Sequence, residues 1–439
     1  MDLASLKRAL VGAGCVRLFA KTLSPNDNSK NQVYLSGNVE TLHMFRPTEI
    51  VSGNLASTGP TFKGKLVFGW LQDSGVVAPA PRTQIILYSQ YPEVRLSGFL
   101  AGCASAPSCL MTSRAAGRIL FLGITKDSDV VAYVAEPDSI LAREYSLEVS
   151  SEPTSGVLVE LRLGDEADEE SSRRRLLSTL KTINAKGWID SKQLDSRGGV
   201  QPCHAPQCGG YTLEAELGVS KNSRAEADYE GWEVKSYAVR SFERPLSAGP
   251  ITLFTPEPTG GAYRDLGFDD FMRRYGYVDR RGREDRINFG GTYFVGRSHP
   301  TTHLGLRLSG FDASKGKVVN ALGAIELTAA NGEVAASWSF SSILEHWNRK
   351  HRFAAYVPNQ KRTSPTLSYA YGHRVHLAQH TDHERLLSAF ASGFVYYDPG
   401  IKLEAASTTT PRAKKRSQFR VKARHLYVLY KAMEQVDLR

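Results

Sequence analysis

Long apolar runs are missing from this 439-residue chain. No stretch approaches the length needed to span a bilayer, and no basic amphipathic helix stands out, so no membrane partner is expected. Cysteine is scarce: five in so long a chain, an odd number, predicts reduced thiols, a cytoplasmic protein and no disulfide framework. The opening MDLASLKRALVGAGCVRLFAKTL has an apolar patch broken by Arg17 and Lys21, which is not the pattern of a signal peptide. A G-x-x-x-x-G-K-[ST] phosphate loop is absent, and Thr259-Gly260-Gly261 and Phe289-Gly290-Gly291 read as turns, so ATP-driven work has no support. No G-x-S-x-G elbow offers a serine nucleophile, and no internal repeat occurs.

What is present points to a polyanion. The formal net charge is +10, and 41% hydrophobic residues suffice for sizeable cores. Nucleic acid is the leading partner. The length predicts two domains. Residues 1–150 carry β-rich runs (VRLFAKTL, NQVYLSG, GKLVFGWL, TQIILYSQY, GRILFLGI, DVVAYVAE) between turn-forming clusters, the spacing of an all-β barrel or sandwich. Residues 151–172 read as a linker with an acidic run. Residues 173–439 are mixed α/β and open on a helix with Leu176, Leu177, Leu180 and Ile183 on one face and Gly187 past its end. Thr381 to Glu384 has the pattern of a capping box that starts the helix ERLLSAFAS.

Gly210–Tyr237, GYTLEAELGVSKNSRAEADYEGWEVKSY, holds the groups suited to chemistry. Glu233-Val234-Lys235 predicts a strand with Glu233 and Lys235 on one face and Trp232 and Val234 on the other. Asp228 lies five residues before Glu233, a turn or short hairpin away, and Glu214 lies in a short helix stopped by Gly218. Carboxylates bind hard Mg²⁺ through oxygen and leave positions for water and phosphate, while a lysine orients water or offsets developing charge. Short acidic-basic strands are common on solvated faces, so this pattern by itself more often describes a salt-bridged edge strand.

Other clusters are weaker. Cys203-His204-Ala-Pro-Gln-Cys208 lacks the tight spacing of a zinc knuckle, and His373, His376, His380 and His383 are divided by the expected helix start. Pro411–Arg424 holds seven Lys or Arg and no acid within folded chain, as a phosphate-tracking or guanine-reading loop would. In the N-terminal part, Lys21–Gln32 and Tyr91–Gly102 are polar stretches whose amide, hydroxyl and guanidinium groups suit DNA contact or simple solvation.

The run Gly210, Leu213-Glu214, Leu217-Gly218, Asp228, Gly231, Glu233 and Lys235 resembles the catalytic segment of the MvaI/BcnI restriction endonucleases, relatives of the mismatch-repair nicking enzyme MutH in the PD-(D/E)XK superfamily. Ala227 stands where many relatives have proline before the aspartate. The resemblance extends over about residues 173–439, and it implies a mixed-sheet nuclease core with a C-terminal recognition lobe. It implies Mg²⁺ held by Asp228 and Glu233, with Lys235 and Glu214 assisting. Matched onto the lobe, Asp398, Lys402, Lys415, Arg416 and Arg420 are the implied DNA contacts. KTLSPNDNSKNQVYL and YPEVRLSGF resemble the two DNA-embracing arms of the EcoRII effector domain, a pseudobarrel shared with plant B-three transcription factors. That likeness implies DNA contacts from Lys21, Asn26, Asn28, Lys30, Asn31, Gln32, Arg95 and Ser97. Together the likenesses imply a monomeric type IIE enzyme cutting double-stranded DNA at CC(A/T)GG, with a second site bound as effector and a cognate DNA methyltransferase. A MutH-like repair nickase and a non-catalytic DNA-binding regulator are the alternatives.

Overall fold

The computed structural model describes residues 1–439 apart from 26–31, 37–40, 42–43, 46, 49, 56–58, 89–92, 149–153, 156, 162, 164–165, 221–227 and 321. The chain divides into two compact units, residues 1–169 with 317–321 and residues 170–316 with 322–439.

Alternating apolar residues build two sheets in the first unit. The larger runs in the order Thr154–Ser155, Leu158–Leu161, Cys15–Thr22, Ile119–Thr125, Val130–Ala135, Phe68–Leu71, Val77–Pro79. The helix Leu3–Gly12, capped by Asp2 accepting from the Ser5 amide at 2.7 Å, buries Leu3, Leu6 and Leu10 in a core with Leu18, Phe121, Val131 and Tyr145. The strands at 154–161 lie in the stretch expected as linker; Leu18 to Ala20 pair with Leu161 to Val159, so those residues extend the sheet. A second, antiparallel sheet runs Gln32–Ser36, Glu93–Ser97, Gln84–Tyr88, Gly59–Lys65, Ile50–Leu55. Most of the strands expected from sequence are present; to the expected all-β pattern the structure adds helices at 3–12, 108–112 and 140–148 and strands at 50–55 and 77–79.

In the second unit, Glu233–Ala238 lies parallel to the long strand Phe353–Arg362, with Glu233 opposite Ala354 and Lys235 opposite Tyr356. Arg374–Gln379 and then Ala432–Asp437 continue the sheet. Two helices cover the Val234 face. Glu166–Ala185 buries Leu176, Leu180 and Ile183, and Cys208–Glu216 buries Cys208 and Leu213, against Trp232, Val234, Ala355, Val357, Val375 and Leu377. Among the described residues four smaller sheets lie within the unit, and a dense aromatic cluster of Trp338, Tyr397, Phe419, Phe254 and Phe390 ties two of them together.

Two expectations are corrected. Cys203 and Cys208 form a disulfide, their Cα atoms 5.8 Å apart, because the turn into the second helix brings both side chains into the buried core. The odd cysteine count could not reveal this local pair, and with both sulfurs engaged Cys203-His204-Cys208 is not a zinc knuckle. The cap of the helix His383–Ala391 is Asp382, whose carboxylate accepts from the Arg385 amide at 2.7 Å. Thr381 instead accepts from Trp347 Nε1 at 2.8 Å and donates to the Leu429 carbonyl at 2.6 Å. No helix of the described residues is long and apolar enough to cross a membrane.

Leu180 is 2% exposed at the centre of the helix–sheet core. Leu180→Ala is expected to cost about 2–5 kcal/mol in urea unfolding; a loss below ~1 kcal/mol would place this side chain outside the core.

Candidate active site

The site begins with a two-residue turn. Tyr229 and Trp232 exchange backbone hydrogen bonds at 2.9 and 2.8 Å across Glu230 and Gly231, whose φ values are +47° and +86°. Both positive values are those of the hairpin turn whose twist matches its strands, and glycine takes the second at no steric cost. The turn folds the chain back so that Asp228 Oδ2 accepts from the Val234 amide at 3.1 Å. Ser172 fastens it to the 166–185 helix by donating to the Glu230 carbonyl at 2.8 Å and accepting from Trp232 Nε1 at 3.2 Å.

Beyond the turn, strand alternation sends Trp232 and Val234 into the core and Glu233 and Lys235 to the opposite face. Glu233 is 1% exposed and accepts a hydrogen bond from Lys235 Nζ; Lys235 remains partly open to solvent. Glu214 stands on the 208–216 helix, and Gly210 one turn earlier leaves room beside it, since a Cβ there would lie 3.8 Å from Glu214 Oε1. Burial is the largest influence on the Lys235 ammonium and favours the neutral amine. The charge of Glu233, the hydrogen bond to it, and the charges of Asp228 and Glu214 outweigh burial, so the net shift is upward and the group stays a cation at neutral pH. All three acids therefore act on one lysine.

On this same face lies a buried polar chain that sequence reasoning missed. Tyr356, on the strand beside Lys235, has its hydroxyl 2.7 Å from that of Tyr430, which lies 2.9 Å from His351 Nδ1. Burial pushes the Tyr356 and Tyr430 phenols up. Their meeting depends on strand register over 74 residues of separation, for which the sequence carries no signal.

Among the described residues no three His, Cys, Asp or Glu side chains are gathered as a metal cage. The donor set itself fits Mg²⁺, which commonly takes one or two protein carboxylates and fills its octahedron with water and phosphate oxygens. Asp228 and Glu233 are two such carboxylates on one turn–strand unit.

The residues matched to the recognition lobe fall into separate groups. Asp398 accepts from Arg420 Nη1 at 2.7 Å, and Arg420 also donates to the Pro250 carbonyl at 3.0 Å. Lys402 lies opposite Asn288 and Lys414; burial, then the charges of Arg286, Arg283 and Lys414, pull its ammonium down. Lys415 points toward Glu257, 3.8 Å away, over the Tyr263 and Phe268 rings. Arg416 is exposed, its stem against Gly400. In the first unit Gln32 and Ser97 are cross-strand partners, and Arg95 pairs with Glu93 at 2.7 Å. Lys21 is only 5% exposed, its Nζ 5.8 Å from the Tyr34 ring centre. Asn26, Asn28, Lys30 and Asn31 lie outside the described residues.

Residues 177–430, more than half of the chain, match the model of the MvaI/BcnI restriction endonuclease family. No curated protein matches. Among solved structures, the restriction endonuclease MvaI–cognate DNA substrate complex aligns at 15% identity over 62% of this chain and 99% of that one, with a TM-score of 0.46. MvaI in the absence of DNA aligns at 15% identity over 60% and 97%, with a TM-score of 0.33.

A Cβ at Gly231 would meet nothing within 4 Å, so its substitution acts through backbone strain alone. Gly231→Ala is expected to cost about 1–2 kcal/mol and to slow DNA cleavage, with Gly231→Asn milder, in parallel urea melts and cleavage assays. Wild-type behaviour of Gly231→Ala in both would contradict the role given to the turn.

Proposed function

This chain belongs to the MvaI/BcnI restriction endonuclease family, a site-specific DNA endonuclease, and from that premise we propose that it hydrolyses phosphodiester bonds of double-stranded DNA with Mg²⁺ at CC(A/T)GG. The observation that carries the site assignment is the joining of Asp228, Glu233 and Lys235 in one turn–strand unit, with Glu214 acting on the same lysine.

Asp228 and Glu233 are the residues that would hold the ion. When bound, Mg²⁺ supplies a Lewis acid at the scissile phosphate. Lys235, kept cationic by its acidic neighbours, donates to the attacking water or to a phosphate oxygen and offsets the charge that develops there. Glu214 accepts from a water on the same side and so helps to align it. The core behind Trp232 and Val234 keeps these groups in place, which is what makes such electrostatic help effective.

In the second unit, Asp398 with Arg420, Lys402, Lys415 and Arg416 form the recognition lobe that contacts the duplex. The ion pair of Asp398 with Arg420 supports base reading, because it fixes a guanidinium that would otherwise be mobile. The first unit is an EcoRII-like pseudobarrel that binds a second copy of the site as effector. The adjacency of Gln32 and Ser97 and the nearby Arg95 support that reading; buried Lys21 serves there through the Tyr34 ring rather than by reaching a base. This two-part design resembles the monomeric type IIE enzyme UbaLAI. It implies a monomer acting in the cytoplasm beside a cognate methyltransferase, cutting one strand at a time and rebinding in the opposite orientation.

Asp228→Asn and Lys235→Ala are each expected to lower the cleavage rate of a plasmid carrying CC(A/T)GG at least ~100-fold; Asp228→Asn should leave the melting temperature close to wild type, and Lys235→Ala should lower it because buried Glu233 loses its cation. Equal rates in wild type and variants would overturn the site. Nicked circles that never become linear would favour a repair nickase. Absence of cleavage by wild type with Mg²⁺ would leave only a DNA-binding regulator.

A further inference from the structure

Three consecutive arginines lie on the 166–185 helix and fan out by about 100° per residue. Arg173 reaches Glu434 at 2.9 Å, and Arg175 reaches Glu230 on the active-site turn at 2.5 Å. Arg174, exposed between them, meets no carboxylate among the described residues. Its Nε donates to the Glu170 carbonyl at 3.3 Å and its Nη2 to Ser171 Oγ at 3.4 Å. Among the described residues the guanidinium is thus oriented by neutral groups alone.

Beside it is a shallow, open groove lined by Ser171, Arg174, Arg175, Ser178, Thr179 and Tyr229. Every lining side chain is a cation or carries a hydroxyl, and none is a carboxylate. The Tyr229 and Thr179 hydroxyls lie 3.2 Å apart, and Tyr229 directly follows Asp228 in the turn. The Arg174 guanidinium and four hydroxyls, open to solvent and one residue from a proposed metal ligand, form a receptor for a tetrahedral oxyanion, while Arg175 at its edge is already paired with Glu230.

We propose that this groove binds a backbone phosphate of the DNA duplex next to the scissile one, with Arg174 as its principal charge. The proposal rests on the endonuclease reading and adds to it a contact independent of base sequence. Such a contact holds the strand in register over Asp228, as phosphate contacts do generally.

The test is binding of the full chain to a CC(A/T)GG duplex and to a scrambled duplex without divalent metal, followed by fluorescence anisotropy over a range of salt. Arg174→Ala is expected to weaken both about ten-fold at low salt and to reduce the slope of log K against log salt by about one. Arg174→Lys is expected to recover most of the affinity, and Ser178→Asp, which puts an anion into the groove, to weaken binding more than Ser178→Ala. Lys181→Ala, removing another exposed cation of the same helix, should change the slope less than Arg174→Ala. Unchanged affinity and slope in Arg174→Ala, an equal effect of Lys181→Ala, or a loss confined to the cognate duplex would each overturn the groove. If wild type cuts no DNA with Mg²⁺ while Arg174→Ala still lowers the slope, the endonuclease reading fails and the phosphate site stands.

Discussion

A single tight turn determines where the acidic groups of this protein meet. Glu230 and Gly231, both at positive φ, reverse the chain within two residues, and the amide of Val234 then donates to the Asp228 carboxylate. Without that reversal Asp228 would continue away from the strand carrying Glu233 and Lys235. The turn is in turn fixed by Ser172, which bonds both its carbonyl and the Trp232 indole. A helix that otherwise serves packing therefore also holds the position of a proposed metal ligand.

The strand after the turn divides two tasks by parity. Trp232 and Val234 join Leu176, Leu180, Leu213 and Val357 in an apolar core, while Glu233 and Lys235 face the other way. Burying an ion pair costs desolvation, and here the cost is offset because each charge has its partner within hydrogen-bond reach and further acids lie close to the lysine. The arrangement keeps charge ready at a position that the core cannot relax, which is the condition for electrostatic catalysis.

Much of this was legible because it is local. Period-two alternation around Glu233, the apolar stripe from Leu176 to Ile183, and Gly218 after the Glu214 helix each encode an element within a few residues. The return of Asp228 was expected as a turn from its spacing. What escaped was non-local or a choice among near neighbours. Asp382 rather than Thr381 caps its helix because Thr381 is drawn to Trp347 and Leu429, residues far off in the chain. Lys21 reads as a surface lysine, yet its strand lies inside a sheet that buries it. The Tyr356–Tyr430–His351 chain and the direction of Lys415 toward Glu257 depend on how distant strands pair. The disulfide needed only five residues of separation, but a count of cysteines says nothing of which two approach.

The central claim is that the turn–strand unit of Asp228 and Glu233 is where the metal binds. It is tested most directly by Mn²⁺ titration followed by electron paramagnetic resonance, with a bound duplex carrying a non-hydrolysable linkage at the cleavage position. Wild type is expected to take up Mn²⁺ at this position, and Asp228→Asn with Glu233→Gln to lose that binding while still holding the duplex. Undiminished Mn²⁺ binding by the double variant would contradict it.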